Sequence, residues 1–178
     1  MLRYSFIYGG IIGVVVIALM TSTLMFLGPD SVGSSELAGY AFMLAILSLV
    51  FLGIKRFRDV EHGGVIKFTQ AAAVGVGIAV VAGIFYTISW EAVLIATDYA
   101  FIDTYGASQI SAIEAQGLAA ADEAARIAEV REGMEMYRNP LFRFAITFVE
   151  IFPVGLIVAL LSAAILRNSK VLPARSNA

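Results

Sequence analysis

Cysteine is absent from this 178-residue chain, and charge is scarce. Without cysteine there can be no disulfide, thiolate metal site or thiol nucleophile. Charged residues make up 15% against 60% hydrophobic, with a mean hydropathy of +0.86, far from the balance of a soluble domain. A single histidine, His62, stands near Asp59 and Glu61, and with no second His or Cys the trio reads as a solvated loop rather than a metal site. Gly63-Gly64 lacks the strand, Lys and Ser/Thr of a phosphate loop. No H-E-x-x-H, G-x-S-x-G or basic-aromatic patch occurs, so familiar hydrolase chemistry and nucleic-acid binding are unsupported. The expectation is a non-enzymatic chain with no cofactor and no metal.

What is present is four apolar runs, over 6–27, 37–54, 68–90 and 141–166. Each is at or near the ~20 residues an α-helix needs to cross a hydrocarbon core about 30 Å thick. The fold class expected is all-α: a polytopic membrane protein, 1–178 forming one domain of four transmembrane helices. The first run is roughly 22 residues long, longer than a signal-peptide core, and is expected to stay as a membrane helix.

Orientation follows from Lys and Arg. Arg3, Lys55, Arg56, Arg58, Lys67, Arg167, Lys170 and Arg175 are eight of the twelve basic residues, and all fall on one side of a four-span arrangement. Basic residues in short flanking loops stay cytoplasmic, so both termini and the 55–67 segment are expected there. The 91–140 connection is then extracytoplasmic. From Glu91 to Arg138 it carries nine carboxylates against three arginines.

That connection reads as a helical hairpin. No Gly or Pro separates Gly83 from Gly106, so the third helix is expected to run past the interfacial Trp90 to Tyr105 and stop at Gly106. Ser111 with Glu114 resembles a capping box, opening a second helix with apolar residues near helical spacing. The hairpin packs on itself, or serves as a docking surface or a lid. In the membrane, small residues at spacing four allow close helix approach: Gly9 with Gly13, Ala73 with Gly77, Ala79 with Gly83, and Gly155, Ala159 and Ala163. They are expected to pack the bundle internally, with a homodimer or another membrane protein as the alternative use.

One carboxylate lies inside an apolar run. Glu150 comes ten residues after Pro140, about 15 Å along a helix and near mid-membrane. Acidic residues there cost about 3 kcal/mol, so Glu150 should be protonated or hydrogen-bonded. Pro153 leaves the Val149 carbonyl without its usual donor and adds a small polar spot. Ser48, the one clearly polar side chain near the middle of the second run, is the expected partner. On a helical projection Arg143, Thr147, Val154, Ile157 and Leu161 share the side of Glu150, while Gly155, Ala159 and Ser162 face away. Glu150, Ser48 and Pro153 are thus the candidate intramembrane polar site. A hydrogen-bonded helix lock is one role for it and proton or solute handling the other.

Lys55-Arg56-Phe57-Arg58, then Gly63-Gly64-Val65-Ile66-Lys67-Phe68 and Ala71 to Gly75, resemble the second-to-third helix junction of a bacterial membrane family, domain of unknown function 4199. Ile151-Phe152-Pro153-Val154-Gly155-Leu156-Ile157, followed by Leu161 to Leu166, is similar to that family's final span. The resemblance covers nearly the whole chain. It implies four membrane helices, a helical insertion before the last, and a bacterial inner membrane; it implies no catalytic residue. The functional expectation is a scaffold, regulatory or partner-binding subunit in the lipid bilayer. The alternative is a small proton-linked transporter or permease using Glu150.

Overall fold

A computed structural model describes residues 1–27, 44 and 47–174, and among these every regular element is an α-helix. The order is α1 (Leu2–Leu27), α2 (Leu49–Glu61), α3 (Phe68–Ala96), α4 (Ala100–Glu114), α5 (Ala120–Arg138) and α6 (Pro140–Leu166). Three of them, α1 over Leu2–Leu19, α3 and α6, are long and apolar enough to cross a membrane. Half of the expected second span, 37–54, lies outside the described residues; its end forms the start of α2. That helix continues to Glu61, so Lys55 to Arg58 are helical, and the loop expected over 55–67 contracts to 62–67.

Contacts at small residues give the direction of each helix. Along α1 and α3, Ser5 meets Gly77, Gly9 meets Val81 and Gly13 meets Phe85, so the two helices advance in step and run parallel. Between α3 and α6, Gly75 meets Ala159, Ala79 meets Gly155 and Gly83 meets Phe148, an antiparallel pair. Helix α2 runs against both α1 and α3: Gly53 lies against Tyr8 and Ile78, and Ile54 against Gly75. Spacing of four on both partners is the ridge along which helices interdigitate, and glycine there lets backbones approach where lipid supplies no hydrophobic drive between helices.

The core sits where these four helices meet. Val50, Ile54, Val74, Ile78, Ala82 and Ala159 are fully buried in it. On the outside, Phe6, Val14, Ile88, Ile157 and Leu161 stand exposed, an apolar girdle that suits acyl chains and would be an association-prone patch in water. Gly75 is wedged between α2 and α6. A Cβ there would come within 2.7 Å of Ile54, 2.9 Å of the Ala159 Cβ and 3.3 Å of the Ala159 backbone. Gly75→Val should therefore destabilise by about 1–3 kcal/mol through overpacking. Thermal unfolding in detergent checks this, with Gly10→Val, where a Cβ meets nothing within 4 Å, as the tolerant control.

Two expectations about the 91–140 segment are corrected. Helix α3 ends at Ala96 rather than running to Tyr105, and the break is made by Asp98 (φ 50°) and Tyr99 (φ 58°), two non-glycine residues in the left-handed region. Such residues are strained by about 1–3 kcal/mol each and persist where surroundings hold them. Gly106 is buried inside α4 and does not end a helix; a Cβ would lie 3.1 Å from Met134 of α5, so the glycine serves close approach. Ser111 is interior to α4 and caps nothing, while α5 starts at Ala120 after Gly117 (φ 61°) turns the chain. Helices α4 and α5 do lie along each other in opposite directions, with Asp103 on Arg138, Gly106 on Met134 and Gln116 on Arg126.

Candidate functional site

The expected site can be placed first. The buried seam of α6 is Arg143, Thr147, Ile151, Gly155, Ala159, Ser162, Ala163 and Leu166. Gly155, Ala159 and Ser162 pack inward and Glu150 stands on another, exposed face, as their spacing indicated. Arg143 and Thr147 do not share that face: they are 1% and 3% exposed and belong to the seam. A seam advancing by four residues turns about 40° per step on an ideal helix, so a projection at one level misassigns residues two turns away. Pro153 is exposed within an uninterrupted helix, and Ser48 is exposed beside α2; neither Ser48 nor Glu150 is without a partner.

Two buried arginines, outside that candidate set, build extended polar clusters among the described residues. Arg143 occupies the first turn of α6, whose start is set by Pro140 at the first position and by the Asn139 carboxamide oxygen accepting from the Leu141 and Phe142 amides. Its guanidinium grips Glu91, near the end of α3, with both arms: Nε donates to Oε2 at 2.8 Å and Nη2 to Oε1 at 2.6 Å. Nη1 donates to the carbonyls of Tyr137 at 2.9 Å and Arg138 at 3.2 Å. Tyr99 and Tyr137 stand over the cation with ring centres at 5.2 and 5.9 Å, and Tyr99 Oη donates to Glu91 at 3.3 Å. Trp90 Nε1 donates to Tyr137 Oη at 2.7 Å and its ring meets Phe101 edge-on. One cation thus ties together the end of α3, the left-handed break, the end of α5 and the start of α6, and the break's strain is offset by Tyr99's two contacts.

Arg58 is the counterpart at the opposite end. It is fully buried; Nε donates to Asp59 at 2.8 Å, Nη1 to the Val171 carbonyl at 2.9 Å and to the Leu166 carbonyl at 3.4 Å, and Nη2 to the Leu172 carbonyl. The last turn of a helix leaves carbonyls without donors and carries partial negative charge, so a buried guanidinium there caps α6 and holds the following segment. Lys55 donates to the other Asp59 oxygen. Burial works against the charge on Asp59, but Lys55 and Arg58 outweigh it and hold the carboxyl below its ordinary value near 3.8. Nearby, Tyr4 of α1 donates to Glu61 at 2.8 Å, and Phe57 meets Tyr4 and His62 edge-on. Asp59, Glu61 and His62 each engage different partners, and no metal-ligand cluster forms among the described residues.

Neither arginine was singled out by sequence. The available signal was positional: Glu91 directly follows Trp90 at the end of one apolar run, and Arg143 lies inside the start of the next. No curated protein and no solved structure matches the chain. A family model described as Protein of unknown function (DUF4199) matches residues 7–168, a stretch that takes in Arg58, Glu91, Arg143 and Glu150. The chain belongs to the DUF4199 family.

Proposed function

We propose that this chain is a non-enzymatic scaffold of a bacterial inner membrane, crossing the bilayer four times and presenting the α4–α5 hairpin on the extracytoplasmic side to a protein partner. The parity of the helices supports four crossings. Helices α1 and α3 point the same way, so the chain must return between them, and α2 points back. Tyr4 with Glu61 and Arg58 with Val171 bring the start of α1, the 62–67 turn and the segment after α6 to one end of the bundle. The Lys/Arg bias marks that end as cytoplasmic.

One observation carries the scaffold reading. Helix α5 buries none of its residues, yet its foot is fastened to the bundle by Arg143 through the Tyr137 and Arg138 carbonyls. A helix with no fully buried residue gains little from packing, so one held at its base by the bundle and along one side by α4 keeps its outer face for contact with something else. Transport through Glu150 has less support, since the seam passes through Thr147 and Ile151 and leaves Glu150 outside. Photo-reactive residues at Asp122, Glu129 and Glu132 test the reading in cells. The expected result is a discrete adduct with another protein that weakens in Arg143→Ala; adducts with lipid alone, or none, would contradict it.

A further inference from the structure

The end of the bundle that gathers Tyr4, the 62–67 turn and the segment after α6 holds seven described cations with two different roles. Arg58 is fully buried on backbone carbonyls and Lys55 is paired with Asp59. Both are internal. Arg3, Arg56, Lys67, Arg167 and Lys170 are exposed, and no ion pair to a carboxylate is recorded for any of them among the described residues. Asp59 is already held by two cations, and Glu61, the exposed carboxylate nearby, receives the Tyr4 hydroxyl. With seven cations against the two carboxylates of Asp59 and Glu61, positive charge at this rim is only partly compensated by the protein.

We propose that this rim binds anionic phospholipid headgroups. The inference rests on the reading that the chain spans a bilayer, and it adds the lipid class that its rim recognises. Phospholipid fits better than a soluble anion because the exposed cations adjoin exposed apolar side chains: Leu2 beside Arg3, Val60 one turn from Arg56, Phe68 beside Lys67, and Ile165 near Arg167. A cation next to an apolar surface matches a phosphate joined to an acyl chain, and basic residues at this depth attract anionic lipid. Buried Arg58 and half-buried Lys55 supply cohesion, so the rim cations are free to face the headgroups.

The test is native mass spectrometry of the full chain released from nanodiscs of equal phosphatidylglycerol and phosphatidylcholine. The wild type should retain phosphatidylglycerol in excess, on the order of tenfold. A variant carrying Arg3→Gln, Arg56→Gln, Lys67→Gln, Arg167→Gln and Lys170→Gln should lose most of that excess, whereas Arg126→Gln with Arg131→Gln, at the other end, should keep it. Equal retention of the two lipids by the wild type, or an undiminished excess in the rim variant, would overturn the proposal. Should the rim variant fail to fold, salt decides on the wild type: the excess must shrink between about 0.05 and about 0.5 M NaCl, as exposed charges are screened, and an excess indifferent to salt overturns it. A wild-type chain that remains soluble without lipid would refute the bilayer reading itself, which separates that failure from loss of lipid selectivity.

Discussion

Arg143→Ala should lower the stability of the folded chain by about 3 kcal/mol, the lower end of the range for breaking a buried ion pair. The lower end applies because Glu91 keeps 32% of its side chain exposed while Arg143 keeps 2%. The alanine leaves the Glu91 carboxylate without its two-armed donor and strips a hydrogen bond from the carbonyls of Tyr137 and Arg138. Removing both charges behaves differently. Glu91→Leu with Arg143→Leu leaves no orphaned ion, so the double variant should lose less than the sum of the singles. Unfolding in detergent of the two singles and the double measures the difference; equal, additive losses would mean that the pair contributes no coupling. Because Tyr99 is held by the same cluster, amide exchange in Arg143→Ala should rise first at 97–99.

Arg58→Ala should cost about as much, roughly 3 kcal/mol, for a different reason. Its fork reaches three carbonyls beyond and at the end of α6, and the alanine leaves those acceptors and a side-chain-sized void without compensation. Arg58→Lys should recover only part of the loss, since an ammonium presents a point charge rather than a planar fork. Limited proteolysis reports this at a defined place: cleavage between Arg167 and Ala174 should accelerate in both variants, more in alanine than in lysine, and unchanged cleavage would exclude a capping role.

The parts of this fold legible in the sequence are those fixed by periodicity and length. Apolar runs over 68–90 and 141–166 appear as α3 and α6, and the small-residue spacings at Gly9, Gly13, Ala79, Gly83, Gly155 and Ala159 appear as contacts inside the bundle. Helix ends were less legible. Gly106 looks like a stop signal and is a close-approach residue, whereas the real break at Asp98 and Tyr99 carries no glycine and depends on a tertiary partner, Arg143, more than forty residues away. The two arginine clusters went unread for a related reason. Glu150 attracts attention by depth within an apolar run, but Arg58 and Arg143 matter through partners that no local pattern encodes: backbone carbonyls after α6 for one, and a carboxylate on α3 for the other.

The parallel course of α1 and α3 requires the chain to return between them, and the proposed four-span arrangement stands on that return together with the sidedness of its two ends. Thiol accessibility tests both directly, and a chain without cysteine makes each introduced thiol unique. Arg56→Cys, Lys170→Cys and Glu129→Cys, each alone, would be treated in intact cells with a membrane-impermeant maleimide. Labelling of Glu129→Cys only, with the other two reacting after the membrane is opened, is the predicted result; reaction of Arg56→Cys and Lys170→Cys on opposite sides, or protection of Glu129→Cys in intact cells, would contradict the account.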